Sequence, residues 1–278
     1  MSIGKAIRLA KFFASGKNTV IAAMDHGMAI GAMPGLENPA ETARRMKAAD
    51  GIMMCPATLE HCRDVFTGPD APYWVCRTTW TTGYCASWRY VESWTTMGLS
   101  PREALFRGAD MLVASCNIGN GDEAADRDSV TVFSEIAAEK EECGIPLIGE
   151  YMPIPLIDMT PPLSDLSPDD LHRQICVGVR ILAELGADCI KTYYTGERFS
   201  EVIEVSPVPV LVLGSSKMKT SKDALELASK SIRAGARGVV FGRNVFQAER
   251  PSEFLGALKA VVHNGASADE AAAEHGLV

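Results

Sequence analysis

Short apolar runs rich in β-branched residues recur at regular intervals along the chain. There are eight of them, at residues 19–25, 51–55, 73–78, 111–116, 145–151, 189–192, 208–214 and 237–242. Runs of four to eight such residues, bounded by turn-forming residues, are typical of buried strands. The pattern therefore predicts eight strands.

Most of the segments between these runs have helical periodicity and recognisable caps. The clearest helix covers residues 167–187 and begins with a serine and a proline, which favour the first turn. A second helix begins at Ser100, with Glu103 at the spacing of a capping box. A third covers residues 221–236, and the amphipathic N-terminus is predicted to form an opening helix.

The junctions between helices and strands repeat almost the same four residues: RGAD at 107–110, LGAD at 185–188 and AGAR at 234–237. In each junction a glycine ends a helix just before a strand. Eight strands alternating with helices predict a (β/α)8 TIM barrel, a single domain over residues 1–278 with short helices at both ends. A doubly wound sheet is the alternative, but the G-x-G-x-x-G fingerprint that such a sheet often carries is missing.

Composition and charge exclude several classes of protein. The chain has 278 residues, 47% of them hydrophobic, and a net charge of −8 with scattered basic residues, which argues against general nucleic-acid binding. No run approaches the roughly 18 apolar residues of a membrane span. The eight cysteines form no C-x-x-C pair, so we expect no metal site and no disulfides, and a cytoplasmic location.

In such a barrel, the chemistry lies at the carboxyl ends of the strands. Polar residues follow four of the predicted strands: Asp25 and His26 after the first, Lys191 and Tyr193 at the sixth, residues 214–217 after the seventh, and residues 242–244 after the eighth. The fold therefore brings all four groups to one face.

The last two groups have the composition of a phosphate site. Gly214, Ser215, Ser216 and Gly242 allow backbone amides to converge on an anion, and two basic residues, Lys217 and Arg243, add positive charge. The alternative interpretation is that both are ordinary strand-to-helix turns. Their joint occurrence after strands seven and eight, where barrels often bind phosphate, favours the phosphate site.

Lys191 lies at the end of an apolar run, where a charged amine is costly to bury. A nucleophilic amine must be unprotonated, and desolvation or a neighbouring cation lowers the pKa of an amine. The alternative is a structural ion pair with Asp25 or Glu150. Together with the phosphate site, the position favours a Schiff-base lysine that faces a phosphorylated carbonyl compound.

Four motifs resemble a known family. They are DHGxxxG followed by GLE (25–37), IKTYYTG (190–196), GSSK (214–217) and GRNVFQ (242–247). They are similar to motifs of the archaeal-type class I fructose-bisphosphate aldolases, whose relatives include aminodideoxyheptulosonate synthase and the autoinducer-2 phosphate thiolase. The resemblance implies a homo-oligomeric barrel, often a decamer, and an imine on Lys191, with Asp25 assisting proton transfer. His26 would position other groups or contact the substrate.

Two segments depart from the family pattern. The aldolases carry G-G-P-K where this chain has GSSK. After strand five they place a general acid–base tyrosine in a W-x-Y-P-R-G-like stretch, whereas this chain reads GEYMP at 149–153. Tyr151 is displaced by one position in that register, and strand side chains alternate between faces. Tyr151 and Glu150 are therefore both candidates for proton transfer.

All four tryptophans fall within a short stretch that also contains Arg77, Tyr84 and Arg89; they are Trp74, Trp80, Trp88 and Trp94. Trp and Arg are favoured in subunit contacts, so one interpretation is subunit packing. The other is a wall over the part of the substrate distal to the carbonyl.

Three functions are consistent with these residues. The first is a class I aldolase that acts on a phosphorylated ketose without a cofactor, with dihydroxyacetone phosphate as one product. The second is a thiolase that uses coenzyme A as co-substrate, which KTYY and GRNVFQ resemble, although Thr195 and Gly196 fit the aldolases better. The third is a non-catalytic sensor of a sugar phosphate.

Overall fold

The eight predicted strands form one closed parallel barrel. The computed structural model describes residues 2–13, 16–85, 88, 90, 94–119, 121–153 and 166–277. The barrel strands are β1 (Thr19–Ala23), β2 (Gly51–Met54), β3 (Tyr73–Arg77), β6 (Met111–Ser115), β7 (Leu147–Glu150), β8 (Cys189–Thr192), β9 (Val210–Leu213) and β10 (Gly238–Phe241). An antiparallel hairpin of β4 (Thr79–Thr81) and β5 (Thr95–Met97), which the sequence did not predict, follows β3.

Strand order follows the chain around the barrel. Strand β1 pairs in parallel with both β2 and β10, which closes the sheet. Closure confirms the (β/α)8 barrel, and the doubly wound alternative is wrong because an open sheet has two edge strands, whereas every strand of this sheet pairs with two neighbours. Among the described residues, every helix is too short or too polar to span a bilayer.

Helices surround this barrel. They are α1 (Ile3–Phe12), α2 (Gly27–Ile30), α3 (Pro39–Arg45), α4 (Pro56–Cys62), α5 (Pro101–Phe106), α6 (Glu123–Cys143), α7 (Pro168–Glu184), α8 (Phe199–Val205), α9 (Ser221–Arg233), α10 (Arg243–Phe246), α11 (Pro251–Asn264) and α12 (Ala268–Glu274). The predicted capping box of Ser100 and Glu103 is present at α5. The glycines of the three repeated junctions, Gly108, Gly186 and Gly235, have φ of +96°, +104° and +105°, a range that favours glycine.

The barrel interior is a small apolar core that α1 closes from below. Side chains of alternate strand residues fill it, among them Ile21, Val75, Ile148 and Cys189, and Phe12 of α1 packs against them. Strand side chains alternate between faces, so the residues two positions further along β3, β7 and β8 also face inward. Those residues are charged, and they form the upper layer of the barrel.

Candidate active site

Four charged side chains meet at the carboxyl end of the barrel. Asp25 follows β1, Arg77 ends β3, Glu150 ends β7, and Lys191 lies in β8. All four are buried, with exposed fractions of 7%, 5%, 1% and 7% respectively. Strand alternation explains their meeting, because each lies two or four residues beyond an apolar side chain of the inner core.

Arg77 links the two carboxylates. Its Nε donates to Asp25 Oδ2 at 2.8 Å, and its Nη2 lies 2.7 Å from the same oxygen. Its Nη1 lies 2.7 Å from Glu150 Oε2 and donates to Ser115 Oγ at 2.8 Å. The guanidinium therefore holds both acids in a fixed geometry, which suits its planar array of donors.

Lys191 forms an ion pair with Glu150 Oε1. This is one of the two ion pairs considered from the sequence, and it lies inside the barrel mouth. The other oxygen of Glu150 accepts hydrogen bonds from Ser115 Oγ at 2.7 Å and from the Tyr84 hydroxyl at 3.1 Å. Glu150 thus connects the amine to a phenol on the β4–β5 hairpin.

The charges in this cluster sum to zero. Burial alone would raise the pKa of Glu150, but the positive charges of Arg77 and Lys191 hold it well below its usual value. The same balance of burial against Arg77 and Lys191 lowers the pKa of Asp25. Both carboxylates are therefore ionised at neutral pH and oppose two cations.

A cavity of about 110 Å³ opens above the cluster. Since one water-sized probe needs about 10–15 Å³ of such volume, there is room for several small groups of a ligand. Of the residues predicted as candidate site residues, nine line it: Asp25, His26, Glu150, Lys191, Tyr193, Gly214, Ser215, Gly242 and Arg243. The barrel thus brings the amine together with four of the six residues of the predicted phosphate site.

The predicted phosphate side of this cavity is held by a residue that the sequence analysis did not single out for a role. The buried Asn244 donates to the carbonyls of Gly214 at 2.8 Å and Ser216 at 3.1 Å, and it accepts from the Met218 amide at 2.8 Å. Ser215 has a φ of +54°, a conformation uncommon outside glycine. Asn244 therefore fixes an unusual turn above β9.

Arg243 faces the cavity from the start of α10. Its Nε is buried and has no hydrogen-bond partner among the described residues. Burial lowers the pKa of Arg243, but an arginine stays charged at neutral pH. The site therefore contains a half-buried cation that is available for an anionic group of a ligand.

His26 is a neutral group at neutral pH, because burial lowers its pKa to about 4. Its ring meets Phe246 edge-on at 5.3 Å. A Cβ on Gly242 would lie only 2.4 Å from His26 Cε1, so glycine at 242 allows this ring to pack beside the cavity. His26 therefore contributes shape to the cavity wall without adding charge.

The structure does not bring three of the predicted residues to the cavity. Tyr151 points outward from the barrel and packs against Gly178 of α7, where a Cβ would meet its ring at 2.2 Å. The cause is strand alternation: Ile148 and Glu150 face inward, so Tyr151 faces the helices. Ser216 and Lys217 are exposed and lie beyond the lining residues.

Sequence reasoning gave no site role to Ser115, and it considered Arg77 and Tyr84 only for subunit packing or a wall over the substrate. A signal for Arg77 was present, because a charged residue ending an apolar strand is the same anomaly as Lys191. Of the tryptophans, Trp80 lines the cavity, Trp74 is buried in the outer core, and Trp88 and Trp94 are exposed. The role of Trp80 as a wall over the substrate stays a prediction, and Arg89 lies outside the described residues.

A parallel barrel with charged side chains around a cavity at the carboxyl ends of its strands has the architecture of a barrel enzyme. Comparison with known proteins identifies the family. The model of the DeoC/LacD family aldolases matches residues 19–248. The chain belongs to this family, and it is an aldolase, a lyase.

Two relatives match nearly the whole chain. An uncharacterized aldolase of Saccharolobus solfataricus is 31% identical over 277 residues, covering 97% of this chain and 98% of the relative. The 2-amino-3,7-dideoxy-D-threo-hept-6-ulosonate synthase of Halobacterium salinarum is 29% identical, covering 99% and 97%.

Solved structures match the fold over a similar length. The crystal structure of an archaeal fructose 1,6-bisphosphate aldolase has a TM-score of 0.77 at 25% identity, covering 94% of this chain and 100% of that one. A Schiff-base-forming fructose-1,6-bisphosphate aldolase has a TM-score of 0.76 at 24% identity, covering 93% and 100%. At this identity the second match supports the barrel fold alone.

Proposed function

We propose that the chain is a class I aldolase in which Lys191 forms a Schiff base with the carbonyl carbon of a phosphorylated ketose, with dihydroxyacetone phosphate as one product. The observation that carries the proposal is that the Lys191 side chain lines the same cavity as Gly214, Ser215, Gly242 and Arg243. An amine and an anion site around one small cavity suit a substrate that carries a carbonyl near a phosphate.

The proposed reaction begins when the Lys191 ammonium transfers one proton to the carbonyl oxygen as its freed amine attacks the carbonyl carbon. A second N–H proton then converts the carbinolamine hydroxyl to water, which leaves. The resulting iminium keeps the positive charge of the lysine, so Glu150 and Asp25 stabilise it as they stabilise the ammonium. Cleavage sends the electrons of the carbon–carbon bond to the iminium nitrogen, while the hydroxyl of the departing carbon loses its proton and becomes a carbonyl. Protonation of the enamine and hydrolysis release the ketone. As proposed, the reaction needs no cofactor, because the iminium is the electron sink.

Borohydride trapping tests the proposal directly. The protein is incubated separately with dihydroxyacetone phosphate, fructose 1-phosphate and fructose 1,6-bisphosphate, reduced, and analysed by intact mass and peptide mapping. We expect a single stable adduct on Lys191, no adduct in Lys191→Met, and an unchanged adduct in Lys217→Met, since Lys217 lies outside the cavity. No adduct with any of the three compounds in folded protein, or an adduct on another lysine, would contradict the proposal.

The same reaction mixture separates aldol cleavage from acyl transfer. Before borohydride is added, an aldolase releases an aldehyde from fructose 1-phosphate or fructose 1,6-bisphosphate without coenzyme A, so we expect product formation in its absence. Cleavage that depends on added coenzyme A, with an acyl thioester as product, would instead favour the thiolase. A sensor would bind phosphate and leave all three compounds intact.

A further inference from the structure

We infer that Tyr84 is a catalytic residue that carries the hydroxyl proton of the substrate during carbon–carbon bond cleavage, with Glu150 as the final acceptor. The inference rests on the proposed function. Tyr84 ends the short 3-10 turn Thr82–Tyr84 that follows β4, and its side chain lines the cavity beside Glu150 and Lys191.

The phenol of Tyr84 is held in a fixed position. Its hydroxyl donates to Glu150 Oε2 at 3.1 Å and lies 3.4 Å from Asn117 Oδ1. Asn117 is itself fully buried. Its side-chain Nδ2 donates to Thr81 Oγ1 at 2.9 Å, and its backbone N–H donates to Ser129 Oγ at 2.8 Å. Because the proton of the phenol points toward Glu150, the two lone pairs of the same oxygen can accept, one from Ser115 and the other from a hydroxyl in the cavity.

The carboxylates alone are poor proton acceptors in the resting site. Arg77 contacts both of them, and its charge with that of Lys191 holds their pKa values low. Burial and the charge of Glu150 raise the pKa of Tyr84 well above its usual value. The phenol is therefore protonated at rest and serves as a relay between the substrate and Glu150.

The cleavage step preserves the charge balance of the cluster. In the iminium form, two cations face two carboxylates. When the carbon–carbon bond breaks, its electrons neutralise the nitrogen of Lys191; the substrate hydroxyl passes its proton to the Tyr84 oxygen, and Tyr84 passes its own proton to Glu150 Oε2. Glu150 becomes neutral at the same moment as the nitrogen, leaving Arg77 opposite Asp25. Loss of the positive charge on the nitrogen also removes one of the influences that kept Glu150 ionised.

The test compares two tyrosines that differ in their orientation. Tyr84→Phe removes the relay oxygen, whereas Tyr151→Phe removes a hydroxyl on the outer face of the barrel. With fructose 1-phosphate and fructose 1,6-bisphosphate, we expect Tyr84→Phe to lower kcat for cleavage by about 10²–10⁴-fold. We expect the borohydride adduct on Lys191 to form in Tyr84→Phe at the wild-type rate, and Tyr151→Phe to cleave like wild type.

The ratio of adduct formation to cleavage separates the possible outcomes. A structural role for Tyr84 would slow adduct formation and cleavage in parallel, because it would act by moving Glu150 and Lys191. The inference would be overturned by that parallel loss, or by a Tyr84→Phe variant that cleaves at the wild-type rate. It would also be overturned by a wild-type protein that forms the adduct but cleaves neither ketose. Absence of the adduct in the wild type would instead contradict the proposed function itself.

Discussion

Arg77 offers the sharpest test of the charge balance in the barrel mouth. It contacts Asp25 Oδ2 and Glu150 Oε2 at 2.7 Å, and neither carboxylate is more than 7% exposed. Replacing it by methionine, an unbranched residue that fills space flexibly, leaves two buried carboxylates against Lys191 alone. Breaking a buried ion pair by removing one partner costs about 3–5 kcal/mol, so Arg77→Met should lose that much free energy of unfolding at pH 8. At about 2–4 °C per kcal/mol, Tm should fall by roughly 10 °C.

The destabilisation should depend on pH with a defined sign. In the wild type, Asp25 and Glu150 have lowered pKa values, so their stabilisation is present above the unfolded pKa values of about 4 and is lost only below them. Without Arg77, burial is expected to dominate and raise the pKa of the carboxylate left without a partner. Stability linked to a raised pKa is lost as pH rises, so the deficit of Arg77→Met should be smaller at pH 5 than at pH 8.

The double variant Arg77→Met with Glu150→Gln is the matched control. It removes one positive and one negative charge and leaves Lys191 opposite Asp25. We expect it to be more stable than Arg77→Met by at least about 1 kcal/mol, although it carries one more substitution. Urea unfolding followed by circular dichroism at pH 5 and pH 8 measures all three proteins. The reasoning would be refuted if Arg77→Met lost less than about 1 kcal/mol of unfolding free energy, or if the double variant were no more stable than Arg77→Met. It would also be refuted if the deficit of Arg77→Met were the same at pH 5 and pH 8.

Two glycines give further predictions. Gly178→Ala places a Cβ within 2.2 Å of the Tyr151 ring. The cost of overpacking, about 1–3 kcal/mol, should exceed the gain in helix propensity of about 1 kcal/mol. Urea unfolding should therefore show a less stable protein, and a more stable variant would contradict this packing. Gly242→Ala forces the His26 ring from its place beside the cavity. Titration calorimetry should show that dihydroxyacetone phosphate binds about tenfold more weakly, a loss of about 1.4 kcal/mol. An unchanged affinity for this ligand would show that the ring does not shape the cavity.

The barrel was predictable from the sequence because its signals are local. Eight apolar runs and the three repeated junctions at Gly108, Gly186 and Gly235 each lie within a few residues, and all correspond to strands or helix ends in the structure. The position of Lys191 in the cavity was predictable for the same reason, since a lysine in an apolar run is conspicuous by itself. The homo-oligomeric assembly implied by the resemblance stays a prediction.

The β4–β5 hairpin and the contacts of Arg77 could not be predicted in the same way. Strand β4 has three residues and pairs with a segment 14 or more residues away, Thr81 with Thr95 and Thr79 with Met97. Nothing near either segment indicates its partner. The contacts of Arg77 join residues 52 and 73 positions apart in the chain, so they depend on the closed barrel rather than on local sequence.

The one-residue displacement after β7 explains why the site differs from the pattern that the sequence resembles. Placing Glu150 inward adds a second carboxylate to the barrel mouth, and a buried carboxylate is stable only with a charged partner. Arg77 on β3, which is separated from β7 by one strand, supplies that partner. Glu150 and Arg77 therefore form a unit, because either one alone would leave an unbalanced buried charge. The same displacement turns Tyr151 outward into the helix layer. In the proposed mechanism the proton-carrying phenol comes from another element, since Tyr84 on the hairpin is hydrogen-bonded to Glu150 and lines the cavity. The hairpin that the sequence did not reveal is therefore the element through which the proton transfer proposed for this site would proceed.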